Sequence, residues 1–272
     1  MIKILGIFTC YNRKECSVAC LKSLMEGNKS LEFTFLAVDD ASTDGTAEAL
    51  EDLGKVNVLE GNGGLYYSGG MRKGIEEAKG KYRDYDYCLL FNDDVKFYAG
   101  AVERMVKLFS KERQILVGAT CDDTGKLSYG GVKKLSSWKP AFEIVMSREK
   151  LVECDTFNAN CVLIPYNLFL ELPNIDKIYV HAMGDFDYGL QAKEHGCVIN
   201  PTDFFVGKCN DNPLHGTWRD TSLPIKKRIQ LKESPKGLPA RQWFHFVRRY
   251  FGILSACYSA ITPYIKIMIG KS

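Results

Sequence analysis

The chain has 272 residues, 46% of them hydrophobic and 25% charged, with a formal net charge of +3. That length buries a substantial core in one large domain, or one domain with an appendage, and the composition is that of a folded protein. So small a net charge excludes the strongly basic balance of a nucleic-acid binder. Ten cysteines include no Cys-x-x-Cys pair, and Cys88, Cys121 and Cys161 lie in apolar runs where cysteine acts as a small hydrophobe. Met1 to Ile7 is too short for a signal peptide and runs straight into a motif, so a reduced, cytosolic chain is expected.

Ile2 to Phe8 is a short apolar strand broken by Thr9-Cys10-Tyr11-Asn12-Arg13. Asn12 is placed to cap the next helix, with Glu15 completing a capping-box pair. Val18, Leu21, Leu24 and Met25 recur at helical spacing until Gly27. A second strand, Phe33 to Val38, ends in Asp39-Asp40-Ala41-Ser42-Thr43-Asp44-Gly45-Thr46 before a helix over Ala47 to Leu53. A third, Val56 to Leu59, leads into a glycine-rich stretch, Gly61 to Gly74. Its glycines lack the dinucleotide spacing, so close approach of the backbone to an anionic ligand at a helix N-terminus is the use expected of them. The fourth strand, Tyr87 to Phe91, ends in Asn92-Asp93-Asp94-Val95.

Strand alternating with helix predicts a mostly parallel sheet covered on both faces. Each of the first four strands ends in a polar or glycine-rich cluster. In such sheets ligands bind at the carboxyl ends of the strands. Asp93 and Asp94, adjacent there, repel each other unless a cation or donors lie between them. An acidic turn or helix cap is the competing account of that pair, as capping is for Asp40 and Asp185.

The second half is less regular. Ile115 to Thr120 and Cys154 to Ile164 read as strands, the latter interrupted at Phe157-Asn158-Ala159-Asn160. His181-Ala182-Met183-Gly184-Asp185-Phe186-Asp187 opens a helix that Gly196 ends, Cys197 to Asn200 is a short strand, and 210–220 is a polar, aromatic loop with His215 and Trp218.

The ordered series Thr9-x-Tyr11-Asn12-Arg13, Val38-Asp39-Asp40-x-Ser42-x-Asp44-Gly45-Thr46, Asn92-Asp93-Asp94-Val95 and Gly184-Asp185-x-Asp187 resembles family 2 glycosyltransferases. Asn62-x-Gly64 with Gly69-Gly70-Met71-Arg72-x-Gly74 is similar to their rhamnosyltransferase-like subgroup. The resemblance implies the α/β GT-A fold over residues 1–225 and an inverting transfer from a UDP- or dTDP-linked sugar. It implies nucleotide contacts from Thr9, Tyr11, Asn12, Arg13, Asp40, Gly64, Met71 and Asp93, and Asp185 as catalytic base. Asp94, with Asp93 beside it, is implied to hold Mg²⁺ or Mn²⁺, hard cations that take one or two carboxylates plus phosphate oxygens. Here Asn92 stands where the family's metal motif has its first acid. His215 is a further candidate metal ligand, and Asp187, Tyr67, Asn160 and Trp218 are candidates for the acceptor or sugar.

Residues 226–272 form a basic, apolar tail in which Trp243, Val247, Tyr250 and Leu254 share a helical face. Pro263 interrupts it, so an interfacial helix at an anionic membrane surface is expected, against a core-packing or homo-oligomer helix. Such a tail suits an enzyme at the inner face of the plasma membrane that glycosylates a lipid-linked saccharide during cell-surface polysaccharide synthesis. Two other readings are a nucleotidyltransferase, which should carry a basic glycine-rich loop that Thr9 to Arg13 is not, and a non-catalytic nucleotide-sugar-binding scaffold.

Overall fold

A computed structural model describes residues 1–211 and 213–271. Asn212, within the expected loop, and Ser272, last in the expected tail, lie outside the described residues. The first half alternates as anticipated: β1 (Ile2–Cys10), α1 (Lys14–Gly27), β2 (Leu31–Asp39), α2 (Thr46–Glu51), β3 (Val56–Glu60), α3 (Tyr66–Lys81) and β4 (Tyr87–Phe91). Then come β5 (Lys96–Phe97), α4 (Ala101–Val106), β6 (Gln114–Cys121), β7 (Leu127–Tyr129), β8 (Gly131–Lys134), β9 (Phe142–Val145), β10 (Thr156–Phe157), β11 (Cys161–Pro165) and α5 (Tyr166–Glu171). The chain closes with α6 (Gly184–Glu194), β12 (Val198–Lys208), α7 (Ile225–Glu233), α8 (Ala240–Phe251) and α9 (Ile253–Met268).

Among the described residues the main sheet runs β3-β2-β1-β4-β11-β6-β12-β5, with β7 beside β6, and a small sheet runs β10-β8-β9. β1 to β4 are parallel, as near-continuous apolar strands buried on both faces require. Alternate residues feed two cores. Leu5, Ile7, Leu90, Val117 and Ile164 face α3, α5, α6 and α8, whereas Ile4, Phe8, Leu89, Phe91 and Leu163 face α1 and α4. Beyond β4 the sheet becomes mixed: β11 runs antiparallel between β4 and β6, and β12 lies parallel to β6. The short strand expected at Cys197 to Asn200 continues to Lys208, with register shifts after Pro201. The order reverses at β1, which has β2 on one side and β4 on the other. The carboxyl ends of these strands therefore bracket a switch point, the ordinary ligand position of an open α/β sheet.

The expected capping box does not form. Arg13, not Asn12, precedes α1, and Asn12 is left-handed (φ 50°), its side chain accepting the Thr43 N–H at 2.7 Å. The glycine-rich stretch is also used differently. α3 starts at Tyr66, so Gly69, Gly70 and Gly74 lie inside a helix, and Gly70 and Gly74 let it approach the sheet. A Cβ on Gly70 would overlap the Thr9 hydroxyl, and one on Gly74 would lie 2.7 Å from Ile7 Cγ2. Gly70→Ala is expected to destabilise the fold by about 1–3 kcal/mol, the usual range for overpacking, which urea unfolding will measure.

The tail is built into the fold. Gly252 (φ 88°) separates α8 from α9, and Phe246, Val247, Phe251 and Ala256 belong to the core beside α6. The face carrying Trp243, Val247 and Tyr250 thus packs inward, and Trp243 Nε1 donates to the Ser259 carbonyl at 3.0 Å. Arg228 and Lys232, two cations of this basic tail, are buried. Arg228 donates to the carbonyls of Trp218, Ile267 and Lys271, and Lys232 to that of Leu238.

Candidate active site

Three loops meet at the carboxyl edge of β1, β2 and β4. At the end of β1 the Thr9 hydroxyl donates to the Val38 carbonyl at 3.0 Å. After β2, Asp39 accepts the Ser42 N–H at 3.1 Å, closing a turn. Asp40 is buried, and its two oxygens accept the N–H groups of Gly63 (2.8 Å) and Tyr66 (2.9 Å). The Asp40 carboxylate therefore shapes the loop into α3 and caps that helix, not the helix nearest in sequence. Gly64 lies exposed on the same loop, with its N–H on Asn62.

After β4 the adjacent acids have found their cation. Arg13 bridges them, one guanidinium nitrogen 3.0 Å from Asp93 Oδ1 and the other 3.0 Å from Asp94 Oδ2. The two acids differ in everything else. Asp93 is buried and also accepts the Ser17 hydroxyl at 2.7 Å; burial raises its carboxyl to about 6, against the opposing pull of Arg13. The Asp94 side chain is 32% exposed, and the Cys209 thiol lies 3.5 Å from its Oδ1. Asn160 is buried and donates to Cys209 at 3.3 Å, so it supports the thiol beside Asp94.

Asp185 lies in the first turn of α6, where Met183 in the left-handed region (φ 67°) sets the helix entry. One carboxylate oxygen accepts the Phe186 N–H at 2.8 Å and the other the Ala159 N–H at 3.4 Å. Burial raises this carboxyl to about 6, within range of a neutral-pH general base. Burial pushes the Tyr67 phenol well up, with the charges of Asp185 and Asp94 adding to the effect. Among the described residues, Asn12, Ala41, Tyr66 and Met183 are four of five non-glycine residues with positive φ. Asn12, Ala41 and Met183 lie on loops and Tyr66 opens α3, and backbone strain of this kind concentrates in functional sites.

Several expected positions fall elsewhere. Met71 is buried in the core with Leu5 and Ile7 and is not a nucleotide contact. Asp187 is fully buried and cannot meet an acceptor. It accepts the Tyr250 hydroxyl (2.7 Å) and the Gln191 amide (2.6 Å), with Arg249 at 3.6 Å, so it fastens α8 to the helix that carries Asp185. Tyr250→Phe is expected to cost about 2 kcal/mol in chemical denaturation, as a hydrogen bond to a buried charged group is lost. His215 is exposed and lies 3.0 Å from Asp220, whereas the side chains that hold Asp93 and Asp94 are those of Arg13, Ser17 and Cys209. Trp218 lies under the Arg219 guanidinium, and its carbonyl anchors Arg228. Tyr11 is exposed at the rim.

Sequence reasoning gave no role to His181. Its ring stands edge-on to Tyr66 and Tyr67, its buried Nδ1 has no partner among the described residues, and burial holds its pKa down. Its place four residues before Asp185, in the same motif, was the available signal. A surface cavity lined by Ile2, Asp86, Tyr87, Phe109, Lys111 and Pro165 lies at the opposite edge, where β1 and β4 begin, away from these groups.

Among the described residues no three His, Cys, Asp or Glu side chains gather as a ready-made metal cage. The donor set nonetheless fits a hard divalent ion held mainly by a diphosphate, since such ions need only one or two protein carboxylates. Asp94 is the partly exposed carboxylate that meets this requirement, and Asp93 already has Arg13 and Ser17.

The carboxylate clamp thus lies at the switch point of an open α/β sheet. The glycosyl transferase family 2 model matches residues 7–163, and the chain belongs to that family. It is a glycosyltransferase. Its fold is similar to that of the mannosyltransferase PcManGT from Pyrobaculum calidifontis, solved in complex with GDP-Man and Mn²⁺, at 12% identity and TM-score 0.56, covering 98% of this chain and 74% of that one. It is similar to S. aureus TarS 1-349 at 13% identity and TM-score 0.56, covering 98% and 81%; that protein has also been solved in complex with UDP-GlcNAc. Comparison with curated proteins gives no match in sequence.

Proposed function

We propose that the protein is a metal-dependent, inverting glycosyltransferase that moves a sugar from a nucleotide-diphospho-sugar to a hydroxyl of a lipid-linked saccharide. The observation that carries this is the pairing of the partly exposed Asp94, beside Arg13, with a raised-pKa Asp185, the charges of both adding to the rise of the Tyr67 phenol. In this reading the loops after β1 and β2 receive the nucleotide and Arg13 faces its diphosphate. Asp94 would hold a Mg²⁺ or Mn²⁺ ion together with the diphosphate, and the ion would supply positive charge against the charge that develops on the leaving group. Asp185 takes the proton of the acceptor hydroxyl as that oxygen attacks the anomeric carbon opposite the diphosphate, which inverts the centre. Tyr67 and His181 border the place where sugar and acceptor meet. In this reading the enzyme works at the inner face of the plasma membrane, in polysaccharide assembly, and the basic, apolar tail supports that placement.

The test is incubation with UDP-, dTDP- and GDP-sugars, dTDP-rhamnose included for the subgroup resemblance, with Mn²⁺ and a lipid-linked acceptor. Release of nucleoside diphosphate that EDTA stops, with inverted product by NMR, is expected. Donor binding without turnover, unchanged in Asp185→Asn, would instead make the chain a scaffold.

A further inference from the structure

α9 is amphipathic the wrong way round for a helix of an isolated globular protein. The side it turns to the protein carries Ser255, Ala256, Ser259 and Pro263, with Ile267 the one large apolar residue. Leu254, Tyr258, Ile261, Ile265 and Met268, spaced four and three apart on one stripe, point outward and are 47–75% exposed. The stripe extends onto a second segment: the Trp138 ring lies 6.1 Å from that of Tyr258, and Leu135 beside it is exposed. A continuous apolar surface of this kind marks an interaction site.

The charge around it selects the occupant. Residues 221–272 hold ten Lys or Arg and one acid, Glu233, leaving 26 Lys or Arg against 32 acids in residues 1–220. Arg228 and Lys232 are spent on internal carbonyls, but Lys226, Lys227, Lys236, Arg241 and Arg248 remain exposed, the first two on α7, which Arg228 ties to the end of α9. A second copy would set one basic tail against another. No helix among the described residues is long and apolar enough to cross a membrane. An anionic bilayer surface satisfies both properties, taking the apolar stripe into its acyl boundary and the cations at its headgroups.

We infer that the outward face of α9, with Trp138 and Leu135, is the docking surface for an anionic lipid bilayer, and that α9 lies flat in it. This deepens the membrane placement proposed above, and it differs from the sequence expectation in the helix used, because the apolar face of α8 is already covered by protein. Docking involves no turnover, so failure of donor hydrolysis would count against glycosyl transfer and leave this inference standing.

The test is flotation of the full chain with phosphatidylcholine vesicles, with and without 30% phosphatidylglycerol (about a third anionic, to mimic a negative leaflet). The wild type is expected to float with the anionic vesicles only. Ile261→Asp/Ile265→Asp should lower the bound fraction about tenfold or more while melting temperature and donor hydrolysis stay at wild-type values. Lys226→Glu/Lys227→Glu should weaken binding and flatten its salt dependence. A wild type that floats with neither vesicle, or a double Asp variant that floats like the wild type, overturns the inference. A wild-type dimer in light scattering that the double Asp variant dissolves, with no flotation, gives the face to a second copy and overturns it equally.

Discussion

Asp185→Asn is expected to abolish sugar transfer and, at pH 8, to leave the folded protein more stable than the wild type. General-base catalysis supplies about 10²–10⁴ in rate, and an amide cannot take the acceptor proton. The stability gain follows from the carboxyl's environment. Burial raises Asp185 from 3.8 to about 6, so between those values the native state holds a proton that the unfolded chain has released. Stability from this group is complete at low pH, falls as pH rises from about 4 to about 6, and stays reduced above that. An isosteric amide carries no such dependence. The relief at pH 8 is on the order of 1–3 kcal/mol, read as a higher urea midpoint, and should vanish near pH 4. The wild-type kcat/KM should fall below a limb near pH 6. A variant that is inactive but gains no more stability over the wild type at pH 8 than at pH 4 would mean that the carboxylate is well solvated, and its assignment as a tuned base would fail.

The sequence revealed the carboxyl edge of the sheet because its signal is local. An apolar run followed by carboxylates and turn formers is visible without any knowledge of packing, and Thr9, Asp40 and Asp94 all lie where those runs end, while Asp185 opens a helix behind a glycine. What escaped notice depends on long-range contacts. Glycines read as loop until Thr9 and Ile7 are seen to need Gly70 and Gly74 beneath them. Asp187 read as a candidate for the acceptor or sugar because the Tyr250 hydroxyl that it accepts comes from 63 residues away. The apolar period of α8 was legible, but period alone does not distinguish a face that meets protein from one that meets lipid. The antiparallel insertion of β11 between β4 and β6 has no local signature, since a five-residue buried strand reads the same in either direction.

The adjacent acids after β4 are expected to separate on mutation, Asp94 carrying activity and Asp93 carrying structure. Asp94→Ala removes a partly exposed carboxylate whose ion pair contributes no more than about 1 kcal/mol, so melting should barely move while metal-dependent turnover disappears. Arg13→Ala acts on the other partner. It leaves the buried Asp93 with only the Ser17 hydroxyl as a side-chain partner, and stranding a buried charge costs about 3–5 kcal/mol, reduced here to about 1–3 because the guanidinium is half exposed. The sign with pH is fixed. Asp93 titrates near 6, so at pH 5 it is largely neutral and loses little with Arg13, whereas at pH 8 it is ionised and loses the whole pair. Urea unfolding should therefore show a larger penalty for Arg13→Ala at pH 8 than at pH 5. Arg13→Lys should recover only part of it, because a single ammonium cannot place separate N–H donors on two carboxylates as the planar fork does. Equal destabilisation by Asp94→Ala and Arg13→Ala would show that both acids serve the clamp, and Asp94 would lose its claim to the metal.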